Sequence, residues 1–94
     1  MALKATPPHE AKNRFLKDKG PGVTRKTLKN YRTSLRQFCN WLDEQGVQTL
    51  NNLDSELIQR YKEYRLSNVK VITARQDMMT IKQFIEFCEH IAAV

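Results

Sequence analysis

VTRKTLKNYRTSLRQFCNWL, residues 23–42, reads as a helix with two separate faces. Leu28, Tyr31, Leu35, Phe38 and Leu42 recur at spacings of three and four and line one side. Arg25, Lys29, Arg32 and Arg36 recur at four, three and four and line another. At roughly 100° per residue the basic stripe sits about 110° round from the apolar one. Thr24 is placed to cap the helix start, and Val23 and Leu28 have the spacing of a hydrophobic staple. Arg25, Lys26 and Lys29 then fill the first two turns, where the helix dipole favours acids. Cations beside free helical amides make a site for an anion such as phosphate. The competing reading of the same residues is a solvated charged face.

Outward from this stretch, Gly46 is a natural helix end and Gly20-Pro21-Gly22 a firm break before it. His9 to Lys19 forms a short helix with Phe15 and Leu16 inward, preceded by an extended or disordered tail, residues 1–8. Val47 to Leu53 is a connection in which Val47 and Leu50 touch the core. Asp54 caps a third helix with Leu57, Ile58, Tyr61 and Tyr64 on its apolar side, ending at Ser67-Asn68. A fourth runs from near Val71 to about Ala92 with the broadest apolar face, built on Ala74, Met78, Ile81, Ile85 and Cys88. The only β-branched run, Val69 to Thr73, is too short and isolated to compete as a strand. The expectation is an all-α domain over residues 9–94, a compact bundle of four helices. Leu28, Tyr31, Leu35, Phe38, Leu57, Tyr61, Ile81, Phe84 and Ile85 form most of its core.

Ninety-four residues make one small domain, and its net charge of +6 points to nucleic acid or an anionic surface. The excess is local: residues 21–42 carry five basic and no acidic side chains. No segment has the apolar run of a membrane helix, and the N-terminus has no signal-peptide core. Cys39 and Cys88 both fall inside helical patterns, so reduced buried thiols and a cytoplasmic location are expected. His9 and His90 lack metal-site spacing, so no metal or other cofactor is expected. Tyr31, Tyr61 and Tyr64 lie on or near apolar faces without activating partners, so none reads as a nucleophile.

The chain also echoes itself at 46 residues. Thr27 falls on Thr73, Lys29 on Arg75, Asn30 on Gln76, Leu35 on Ile81, Arg36 on Lys82, Gln37 on Gln83 and Phe38 on Phe84. The apolar matches are what any two amphipathic helices give. The basic matches are not, because packing does not require them. Two helices with the same basic edge imply a shared surface.

The quoted stretch resembles the N-terminal core-binding (SAM-like) domain of the tyrosine recombinase, or phage integrase, family. Thr24, Thr27, Tyr31, Leu35, Phe38 and Trp41-Leu42 stand at that family's spacings. Leu50, Leu53 and Asp54 match its link into the third helix, and Thr73, Ile81, Lys82 and Phe84 its fourth helix. Where the family often has Gly then Ser before the fourth helix, this chain has Asn68, Val69 and Lys70. The resemblance implies half of a clamp on double-stranded DNA at a recombination site, with the starts of the second and fourth helices toward the major groove. The matched basic edges, taken with that role, point to a DNA-binding set of Thr24, Arg25, Lys26, Lys29, Asn30, Arg36, Lys70, Arg75, Gln76 and Lys82; the resemblance implies no catalytic residue and neither metal nor nucleotide cofactor. Strand exchange would belong to a C-terminal catalytic domain of the same protein, absent from this chain. Self-assembly on DNA would require the full-length protein. Two other readings remain at this stage. One is a helical protein-interaction module with an acidic partner. The other is a small free-standing DNA-binding regulator, against which the long link from Gly46 to Leu53 counts.

Overall fold

A computed structural model describes residues 4–92. Of the expected tail, residues 1–3 lie outside the described residues, as do 93–94 at the other end. Four helices follow in order: α1 (Pro8–Lys19), α2 (Arg25–Glu44), α3 (Ser55–Asn68) and α4 (Val71–Ala92). Short 3₁₀ turns at Gly20–Gly22 and Leu50–Asn52 punctuate the links, and there is no strand among the described residues.

Each boundary has a local cause. Pro8 opens α1 one residue before the sequence reading, at the position where a missing N–H does no harm. Thr24 caps α2 by accepting the Thr27 amide at 3.1 Å, and Asp54 caps α3 by accepting the Leu57 amide at 2.8 Å. At the end of α2, Gly46 takes φ +77°, the left-handed conformation that a side chain resists. That turn lets the Val47 amide reach the Leu42 carbonyl at 2.9 Å and the Gly46 amide reach Asp43 at 3.1 Å, which satisfies carbonyls the helix leaves open. The chain then turns inward, burying Val47, Leu50 and Leu53, and the Leu50 amide is held by the Thr6 carbonyl at 2.9 Å.

The core is an aromatic chain that crosses all four helices. Phe15 of α1 meets Phe84 and Phe87 of α4 edge-on, with ring centres 5.7 and 5.6 Å apart. Phe84 meets Phe38 of α2 at 6.5 Å, and Phe38 meets Tyr61 of α3 at 4.9 Å. Trp41 closes on Tyr61 at 5.1 Å. Edge-on pairs favour the ring quadrupoles and add about 0.5–1.5 kcal/mol each beyond the area buried. Leu35, Phe38, Leu57, Tyr61, Ile81, Phe84 and Ile85 are buried as expected. Leu28 and Tyr31 are only half-buried. Leu28 lies near the start of α2, where its methyls cover Gly20, and Tyr31 keeps its hydroxyl at the surface edge on Gln83, 3.2 Å away. Phe15, Trp41 and Leu42 take up the interior volume instead.

Both cysteines are buried free thiols. Burial pushes each up to about 12 from the ordinary 9.0, so neither is a thiolate near neutral pH.

Candidate nucleic-acid interface

The relation of α2 to α4 decides where every candidate residue points. Two hydrogen bonds fix it. The Tyr31 hydroxyl donates to Gln83 Oε1 at 3.2 Å, and the Ser34 hydroxyl donates to Asp77 Oδ1 at 2.7 Å. Phe38 and Phe84, equivalent positions of the 46-residue echo, meet beneath them. The crossing therefore lies between Tyr31 and Phe38 on one helix and between Asp77 and Phe84 on the other.

The pin at this crossing was not visible in the sequence. Asp77 is buried, and both of its oxygens are used. Oδ1 takes the Ser34 hydroxyl, while Oδ2 takes Arg65 Nε at 2.9 Å and Nη2 at 2.7 Å. One carboxylate thus joins α2, α3 and α4. The available signal was its place on the apolar stripe of α4, three residues after Ala74 and four before Ile81.

From these anchors the outer faces follow by helix geometry. On α2, Asn30 lies about 40° round from Ser34 and borders the seam with α4, while Lys29 and Arg36 lie roughly 140–160° from it. On α4, Gln76 lies about 20° from Gln83 and borders the same seam, while Arg75 and Lys82 lie roughly 80–100° beyond Gln83. The matched cations do not adjoin. Both matched cation pairs are turned away from the crossing, and Asn30 and Gln76 stand nearer to it. Wheel positions alone could not show this, because they do not say which face of one helix meets which face of the other.

All ten candidate residues are exposed: Thr24, Arg25, Lys26, Lys29, Asn30, Arg36, Lys70, Arg75, Gln76 and Lys82. Asn30, Gln76 and Lys82 are chain neighbours of the anchor residues, and Arg36 is two beyond Ser34. Thr24, Arg25, Lys26 and Lys70 sit at the helix starts, about 8–10 Å along the axes from the nearest anchor. Among the described residues the ion pairs are His9–Asp43 and Arg65–Asp77, so none of the seven candidate cations has an acidic partner there. Thr24 is the residue whose role the geometry narrows. Its hydroxyl accepts the Thr27 amide and lies 2.9 Å from the Thr27 hydroxyl. One hydroxyl proton is held between the two threonines and one remains free for an outside acceptor. Thr27 therefore belongs with Thr24 at this helix start. At the start of α4, Lys70 stands at the capping position and its side chain has no acceptor with which to hold the first amides.

Elsewhere the surface is less suited to an anion. A shallow depression between α1 and α4 holds Lys4, Arg14, Lys17 and Lys19, but Asp18 and Glu86 share it. No group of His, Cys, Asp or Glu able to hold a metal occurs among the described residues, and no helix there is long and apolar enough to cross a membrane.

Known proteins bear on this geometry. The profile of the phage integrase N-terminal SAM-like domain matches residues 16–90. A crystal structure of the N-terminal domain of a phage integrase/site-specific recombinase from Haloarcula marismortui superposes with a TM-score of 0.88 at 25% identity, covering 94% of this chain and 86% of that one. No curated protein matches the sequence.

Proposed function

We propose, given that the chain belongs to the phage integrase N-terminal SAM-like domain family, that it is the DNA-binding, non-catalytic part of a site-specific recombinase. In this reading α2 and α4 lie against one duplex. Lys29 and Arg36 on one helix and Arg75 and Lys82 on the other hold phosphates on either side of a major groove. Asn30 and Gln76, nearer the crossing, meet base edges, since an amide can pair two-pronged with adenine and a cation cannot. The helix starts add Arg25, Lys26, Lys70 and the shared Thr24–Thr27 hydroxyl as further phosphate contacts, beside open amides. Cutting and rejoining of strands falls to a separate C-terminal catalytic domain of the same protein, and the whole works in the cytoplasm, where its thiols stay reduced.

The observation that carries this reading is the exposure of every candidate cation with no acidic partner among the described residues. A face built only for solubility mixes both signs. The test is binding of a labelled duplex followed by fluorescence anisotropy across a salt series. Binding should be weak, about micromolar or poorer, and log affinity should fall against log salt by about 0.9 for each phosphate neutralised. With between four and seven cations engaged, the slope should lie at roughly −4 to −6. Affinity that ignores salt, or no duplex binding at millimolar protein, overturns the proposal.

A further inference from the structure

Three large apolar side chains of α4 stand exposed, Val71 at 55% and two that follow it. Ile72 is 65% exposed and Met79 64% exposed. The same helix buries Asp77 and Thr80. A helix selected for stability alone would be arranged the other way round, with its isoleucine and methionine inside and its carboxylate outside. Ile72 and Met79 are seven residues apart, hence on one side of the helix and about 10 Å from each other along the axis. Gln76 sits between them, and Arg75 and Lys82 run along the adjoining edge. The 46-residue echo sharpens the contrast, because α2 has Lys26 and Thr33 at the equivalent positions. The two helices share their basic edge and differ in what stands beside it.

We infer that Ile72 and Met79 recognise thymine methyl groups, so that α4 prefers A·T pairs in the groove it enters; the inference rests on the DNA reading above. The occupant follows from the neighbouring charges. Arg75 and Lys82 draw a polyanion to this face, and the major groove of duplex DNA is a polyanionic surface that also displays an apolar group, the C5-methyl of thymine. The separation of Ile72 from Met79 is about three base-pair steps at 3.4 Å each. Gln76, midway, is placed to take adenine N6 and N7 of an intervening pair. A·T pairs met by this helix would offer an amide partner and methyl groups together. The face ends at Glu86, whose carboxylate repels a phosphate backbone.

The experiment uses one A·T-rich random duplex pool, prepared once with thymine and once with uracil, which removes the methyl and nothing else. Affinity of the chain is measured for both pools, beside Ile72→Ala, Met79→Ala and the double variant. Circular dichroism checks that each is folded, and sedimentation gives its oligomeric state. The chain should bind the thymine pool about 4–15-fold more tightly, the factor expected for one or two methyl groups taken from water. The double variant should bind both pools alike, at the level the parent shows on uracil, with its salt slope unchanged. Equal binding of the two pools by the parent, with a normal salt slope, overturns the inference and leaves the DNA reading standing. So does a change in oligomeric state on substitution without thymine preference, which would assign the patch to a second copy of the chain. Absence of any duplex binding removes the DNA reading and this inference together.

Discussion

Asp77→Ala removes the single carboxylate that ties α2, α3 and α4 together, and its consequence can be worked from the geometry. The Asp77 and Arg65 side chains are 8% and 11% exposed, and the guanidinium donates to Oδ2 from Nε at 2.9 Å, with Nη2 2.7 Å from the same oxygen. Breaking a buried pair from one side costs about 3–5 kcal/mol, most of it from the charge left without a partner. Arg65 retains a little exposure and can turn partly toward water, which places the expected loss near the low end, about 3 kcal/mol. The Ser34 hydroxyl loses its acceptor as well, worth about 1 kcal/mol more. A total of about 4 kcal/mol would be a large part of the 5–15 kcal/mol that holds a small domain folded. Ser34→Ala, which leaves the ion pair intact, should cost only about 1–2 kcal/mol. Replacing the pair together, as Arg65→Met with Asp77→Leu, should recover most of the loss, since well-packed apolar groups often equal a buried pair. Urea unfolding followed by circular dichroism measures all three. An Asp77→Ala loss under about 1 kcal/mol, or one no larger than that of Ser34→Ala, would refute the assignment of the crossing to this carboxylate.

Phe84→Ala should cost about 3–5 kcal/mol, because its ring is fully buried and touches both Phe15 and Phe38; an unchanged melting temperature would break the core described above. Stability should fall as pH rises past 9, because the unfolded thiols ionise near 9.0 while Cys39 and Cys88 hold their protons up to about 12 in the fold. The stabilising contribution is complete below pH 9 and is lost progressively toward pH 12, by up to about 1.4 kcal/mol per pH unit for each thiol. The double change Cys39→Ser and Cys88→Ser should flatten that decline between pH 9 and 10 and leave DNA affinity within a few-fold. Asn30→Ala or Gln76→Ala should leave the salt slope unaltered and reduce discrimination between sequences in a selection from random duplexes; a flattened slope would make them phosphate contacts instead.

The four helices were legible because their causes are local. Thr24, Gly46 and Asp54 mark ends through chemistry within three or four residues, and the apolar spacings of α2 and α4 need no partner to be recognised. The half-exposure of Leu28 and Tyr31 was not legible, because it depends on where α1 ends and where Gln83 arrives. Asp77 shows the limit most plainly. A carboxylate on an apolar stripe is visible in the sequence, but its partners, Ser34 and Arg65, belong to two other helices and only packing names them. The candidate residues were legible as a set of exposed cations and amides. How they stand relative to the crossing, amides nearer and cations turned away, required the packing of α2 on α4. Ile72 and Met79 escaped notice because isoleucine and methionine on a helix read as core until their exposure is known.

The central claim is that the basic edges of α2 and α4 act on one duplex at once. It is tested most directly by a salt titration of duplex binding for Lys29→Ala, Arg75→Ala and the double variant. Each single change should flatten the slope of log affinity against log salt by about 0.9, and the double by about 1.8, with all variants folded. If Arg75→Ala leaves both affinity and slope at the parent values while Lys29→Ala alters them, α4 does not share the surface and the single-face account is contradicted.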